Sequence, residues 1–105
     1  IIVCVSESAN RLVLDACLIE KNELRYTLAR VPVVEALFNH SGSQVENGSA
    51  RQTDFDLTII AMGELAEVLN QTEVGRSYRL QGFINRKSLK SIKLRLHLTH
   101  ISPIH

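Results

Sequence analysis

The stretch QTDFDLTIIAMGELAEVLNQTEVGRSYRLQGFIN, residues 52–85, sets one short helical pattern between two extended ones, and that order decides the fold. Phe55, Leu57, Ile59 and Ala61 alternate with Asp54, Asp56, Thr58 and Ile60. A period of two sends successive side chains to opposite faces of a strand. After Gly63 the apolar residues Leu65, Val68 and Leu69 recur at i, i+3 and i+4, which predicts a helix laying those three against one end of a sheet, with Gly75 beyond its end. Tyr78 to Asn85 is extended again, with Leu80, Gly82 and Ile84 against Arg79, Gln81 and Phe83.

Outward from that stretch, Asn10 to Glu20 alternates Leu12, Leu14, Ala16 and Leu18 with Val13, Asp15, Cys17 and Ile19, a strand long enough to be bent or shared between two sheet surfaces. Lys21-Asn22-Glu23 is a turn. A second strand begins near Arg25, is interrupted at Pro32, whose missing N–H suits an edge or irregular entry, and resumes from Val33 to Phe38. Residues 39–50, NHSGSQVENGSA, are polar with two glycines and read as a mobile connector. Arg86 to Ser91 is a basic turn, and the last strand sets Ile92, Leu94, Leu96 and Leu98 against Lys93, Arg95, His97 and Thr99. The order β-β-β-α-β-β, five strands with one short helix between the third and fourth, is that of the OB-fold, an all-β Greek-key barrel that binds oligonucleotides on one face.

The chain has 105 residues, 45% of them apolar, enough for one core and one domain. That domain is expected over residues 10–102, after an extension or tag remnant at 1–9 and before a tail at 103–105. Cys4 and Cys17 could make one disulfide at most, too few for a disulfide-built secreted domain. Ile1 to Val5 is too short for a signal-peptide core, and the other apolar runs cannot span a bilayer. The expected location is cytoplasmic, with no membrane partner.

Charge is informative only once it is located. Every acid lies at or before Glu73, where Arg11, Lys21, Arg25, Arg30 and Arg51 stand against all eleven acids, a net of −6. Beyond it Arg76, Arg79, Arg86, Lys87, Lys90, Lys93 and Arg95 face no acid at all, a net of +7. Such asymmetry points to an anionic partner. Folding is expected to leave the acids largely on the rest of the barrel, away from the basic face. Catalysis is not expected, because no Ser or Cys sits in a nucleophile motif and no acid lies in the basic third. His97 and His100, three apart in a strand, are expected on opposite faces, and the cysteines lack a CxxC partner, so no metal or other cofactor is expected.

Nucleic-acid binding fits better. Arg86, Lys87 and Lys90 lie on one loop, Lys93 and Arg95 continue the charge along the last strand, and Arg79 and Phe83 share a parity on the strand before it. Cations that track phosphates beside rings that stack on bases make a single-strand binding groove. Aromatic residues are few, with Tyr26, Phe38, Phe55, Tyr78 and Phe83 as the complete set. Binding is therefore expected to lean on charge and to be salt-sensitive. A mainly protein-binding module docking its basic face on an acidic partner is the competing expectation.

These residues carry a family resemblance. Asn10-Arg-Leu-Val-Leu14, Pro32, Glu46-Asn-Gly48 followed by Arg51-Gln52, Gly63, Gly75 and Gln81-Gly-Phe-Ile84 together look like the PriB (primosomal replication protein N) family of bacteria. Phe55-Asp-Leu to Gly63-Glu-Leu-Ala-Glu-Val68 is similar to the related single-stranded-DNA-binding protein family, and the match runs from about Asn10 to Ile101. The resemblance implies a homodimer of OB-folds that binds single-stranded DNA and joins the PriA helicase and other primosome proteins in replication restart. By position it implies DNA-contacting cations at Arg25, Arg86, Lys87 and Lys90. Arg51 and Phe55 complete the candidate contacts. The family's stacking Trp falls at about Asp54, beside Phe55, and a further basic position beside His40 is Ser41 here. Both departures imply weaker DNA binding.

Overall fold

The structure, a computed structural model, describes residues 9–104. The expected extension at residues 1–9, with Cys4 and the run Ile1 to Val5, lies outside the described residues apart from Ala9, as does His105. In chain order the elements are β1 (Leu12–Lys21), β2 (Arg25–Tyr26), β3 (Pro32–Glu46), β4 (Ser49–Met62), α1 (Glu64–Asn70), β5 (Ser77–Arg86) and β6 (Leu94–Pro103). The sheet runs β1-β5-β6-β4-β3-β2, and a further β1–β3 pairing closes the five long strands into the barrel of an OB-fold. The two-residue β2 is a flap on the edge of β3, opposite Pro32 and Val33.

Closure depends on β1. Its first half, Leu12 to Cys17, pairs with β5, and its second half, Cys17 to Lys21, pairs with β3. A bulge at Ile19 lets Leu18 face Phe38 while Glu20 faces Leu37. One extra residue reverses the alternation beyond it. Glu20 therefore turns outward and Lys21 inward, where its ammonium donates to the carbonyls of Asn70 (2.6 Å) and Thr72 (2.8 Å). Helix α1 has no basic residue in its own last turn, so Lys21 supplies the cation that its C-terminal carbonyls attract.

The core is built from the inward parities read in the sequence. Leu18, Phe38, Ile59, Leu80 and Leu96 are fully buried from five different strands, and α1 plugs one barrel end with Ala66 and Leu69. Val68, expected in that plug, is half exposed. The seven-residue helix docks on its 66/69 side, with Leu65 only partly covered. Truncating any of the buried leucines to Ala costs about 2–5 kcal/mol.

Three further expectations are corrected. Residues 39–50 are mostly strand: β3 and β4 stay paired out to Glu46↔Ser49, making a long hairpin arm. Asn47 (φ 50) and Gly48 (φ 77) form its two-residue turn, and both angles lie in the left-handed region that Asn-Gly hairpin turns require. The arm is polar because its outer half has solvent on both faces. The last strand begins at Leu94: Ile92 is 95% exposed, and the Lys87 N–H donates to the Lys93 carbonyl (2.9 Å) to close a loop there. The third correction concerns histidines. A bulge at Thr99 sets Phe83 opposite His97 and Gln81 opposite His100, so both histidines stand on the outer face.

Gly82 marks the tightest backbone approach. A Cβ there would lie 2.0 Å from the His97 carbonyl oxygen, a backbone atom that cannot rotate away. Gly82→Ala is therefore expected to destabilise the fold by about 1–3 kcal/mol. Urea unfolding checks this, and an unchanged midpoint contradicts the close packing of β5 on β6.

Candidate nucleic-acid interface

The loop between β5 and β6 is shaped by its own polar groups. The Ser91 N–H donates to the Ser88 carbonyl (3.1 Å), the Lys93 N–H to the Ser91 hydroxyl (3.0 Å) and the Arg86 guanidinium to the Leu89 carbonyl (3.2 Å). Arg86 thus braces the loop, while Lys87, Lys90 and Lys93 are exposed and have no carboxylate partner among the described residues. Leu89 and Ile92 are exposed between them.

This loop overhangs a groove of about 470 Å³ across β3 and β4, with Lys87 and Lys93 on one wall. Arg95 also lines it, but is not free. Its Nη1 donates to the Glu35 carboxylate, and the two side chains are only 16% and 20% exposed. Arg95 sits opposite Thr58 and Glu35 opposite Ile60, so the pair lies diagonally over β4. Breaking one partner of a pair this buried leaves an uncompensated charge. Arg95 is an anchor of the groove floor before it is a phosphate contact.

Two other candidate cations are also tied. Arg79 holds Asp15 bidentately, Nε to Oδ1 at 2.8 Å and Nη2 to Oδ2 at 3.1 Å. The Arg79 hydrogen bonds keep the Asp15 carboxyl below its ordinary range and raise the guanidinium in return. Arg51 reaches Glu46 at 3.4 Å beside the arm's turn, an exposed pair of small energetic weight. Arg25 on β2 is exposed with no carboxylate partner among the described residues.

The rings divide between two places. Phe83 stacks on His97 with centroids 4.9 Å apart and planes 8° from parallel. Burial, and then the Arg95 charge, push the His97 imidazole below its usual value, so it is neutral at pH 7 and its pairing with Phe83 is ring on ring. Phe55 is 43% exposed and packs on His40 at 5.1 Å. Since a carbonyl can only accept, His40 Nδ1–H donates to Asp15 O (2.7 Å), and Nε2 meets the Thr53 hydroxyl at 2.9 Å. Phe55 and Arg79 line a second groove, with Val13 and Asp15, that none of the loop lysines enters.

Two features go beyond the sequence reading, which named Arg25 as a contact but did not group it with its neighbours. Strand β2 presents Tyr26, 62% exposed, beside Arg25, and the turn after it carries Arg30 in the left-handed region (φ 61). Three such residues within six positions were the available signal. The acids are also not remote from the basic face: Glu20, Glu35 and Asp56 line the groove that Lys87 and Lys93 overhang. The expected separation of charge fails because β1, β3 and β4 run beneath the basic loop.

The sequence pattern of a family described as "another single-strand binding protein family" matches residues 10–100. The replication restart protein PriB of Bordetella pertussis is 35% identical over 89 residues, 85% of this chain and 83% of that protein. The replication restart protein PriB of Neisseria meningitidis serogroup B is 33% identical over 93 residues, 88% of this chain and 92% of that protein. The crystal structure of PriB from Ralstonia solanacearum superposes with a TM-score of 0.87 at 35% identity, over 93% of this chain and 100% of that one. The single-strand-binding-protein domain of a Synechococcus protein superposes at 0.69 with 20% identity, over 92% and 98%, a likeness of fold alone.

The lowered His97 pKa has a consequence for stability. Below the ordinary value of 6.5 the unfolded chain takes up a proton that the folded ring resists. This contribution is complete above pH 6.5 and declines as pH falls from there towards the folded value. Asp15 acts in a lower window, since its contribution is lost only as pH falls below 3.8. Urea midpoints are expected to drop between pH 7 and pH 5.5, and to drop less in His97→Phe. Equal drops in both proteins contradict the assignment.

Proposed function

The chain belongs to the PriB family, and from that footing we propose that it is a non-enzymatic accessory protein of replication restart that binds single-stranded DNA. The observation that carries this reading is the braced loop whose Lys87 and Lys93 overhang the groove across β3 and β4, with Lys90 exposed between them and none of the three ion-paired to a carboxylate among the described residues. A polyanion gains most from cations that are not already paired. The phosphate track runs along that loop, and Arg25 and Tyr26 on β2, with Arg30 on the turn after it, offer a second set of contacts. Phe83, backed by His97, gives the outer sheet a face on which a base stacks. Arg51, Arg79 and Arg95 contribute less, because phosphate must first compete with their carboxylates.

With Asp54 at about the position of the family's stacking Trp, affinity comes mainly from charge. Each phosphate neutralised on a single strand adds about 0.7 to the slope of log K against log salt. The protein works in the cytoplasm as a homodimer beside the PriA helicase. A mainly protein-binding role is the second reading, favoured by Leu89 and Ile92 standing exposed among the loop lysines.

Fluorescence anisotropy with labelled oligo-dT at two salt concentrations tests the first reading. Reversing Lys87, Lys90 and Lys93 together to Glu is expected to weaken binding at least tenfold and to lower the salt slope by about 2. Unchanged affinity in a variant that still folds removes the loop from the site. Sedimentation at micromolar concentration is expected to show a dimer, and a stable monomer contradicts that part of the proposal.

A further inference from the structure

The groove under the basic loop is not uniformly cationic, and its floor has an order. A row of outward-facing neighbours crosses four strands: Glu20 on β1, Leu37 on β3, Thr58 on β4 and Arg95 on β6. Asp56 stands one step along β4 on the same face and lines the same groove. From one side to the other the floor therefore offers carboxylates, an apolar side chain, a hydroxyl and a guanidinium already held by Glu35. Lys87 and Lys93 stand over the far wall.

Asp56 is set in place. The Asn39 side-chain amide donates to Asp56 Oδ1 at 2.8 Å and to Asp54 Oδ1 at 2.9 Å. Asp56 Oδ2 and the Glu20 carboxylate have no hydrogen-bond partner among the described residues. A carboxylate accepts only, and it repels phosphate. A nucleotide can nonetheless meet both walls, because its phosphate is an anion and its base edge carries donors. With the phosphate on Lys87 and Lys93, the base lies over Leu37 and its edge reaches Glu20 and Asp56.

Bases differ in what they offer there. Cytosine presents an exocyclic N4 amine whose two N–H groups can serve both Asp and Glu, whereas thymine presents the acceptor O4 at that position and has only the single donor N3–H beside it. Resting on the DNA-binding reading above, we infer that this groove selects for bases with exocyclic amines, and that Asp56 and Glu20 make it prefer cytosine to thymine. The carboxylates then act as a base-reading wall in a site whose affinity comes from the lysines.

Anisotropy titrations with labelled 30-mers of dC, dT and N4,N4-dimethyl-dC, at one salt concentration and pH 7.5, test this. Oligo-dC is expected to bind about five-fold or more tightly than oligo-dT. The dimethylated oligomer, with its donors removed, is expected to fall to the dT level or below. Asp56→Asn and Glu20→Gln are each expected to bring the dC/dT ratio towards one, and either variant decides the point if the other fails to fold. Equal binding of dC and dT by the unaltered protein overturns the inference and leaves the DNA-binding reading standing. Equal strengthening of both oligomers in the variants also overturns it, because the carboxylates then only repel. Absence of binding to every oligomer at low salt overturns the DNA-binding reading itself.

Discussion

β1 has to serve two sheet surfaces, and the rest of the molecule depends on how it does so. A flat strand cannot pair with β5 at one end and β3 at the other, so β1 changes partner at Cys17 and takes a bulge at Ile19. The bulge closes the barrel and reverses the side chains beyond it. Lys21 consequently reaches the carbonyl end of α1, and Glu20 reaches the groove. Straightening β1 would remove the helix's cation and one wall of the groove together.

Charge is organised by pairing more than by segregation. Arg79, Arg95 and Arg51 each meet a carboxylate, at costs and gains set by their exposure: slight at the arm, larger where Arg95 and Glu35 are partly buried over β4. The lysines of the β5–β6 loop are left over. Their freedom follows from loop geometry, since the Lys87–Lys93 loop is closed by its own backbone hydrogen bonds and holds these ammonium groups out of ion-pair contact with the acids that line the groove beneath, among the described residues.

The five long strands, the single helix and the inward sets around Leu18, Phe38, Ile59, Leu80 and Leu96 were legible because alternation survives wherever one face is buried and the other wet. The arm was not, because alternation carries no signal when both faces meet solvent, and only Asn47-Gly48 announced its turn. Of the site, the basic loop was legible as a run of charge. The ring pairs were not: Phe83 on His97 joins residues from different strands, and Phe55 on His40 joins the two sides of the arm.

By itself the sequence determined the strand order, the family resemblance and the concentration of cations after Glu73, because each is a pattern along the chain. Only the tertiary structure decided which cations are free, that Glu20, Glu35 and Asp56 lie beneath the basic loop, and that His97 and His100 share a face. The physical reason is register. One extra residue at Ile19 and another at Thr99 reverse the side chains that follow, and nothing local in the sequence marks either bulge.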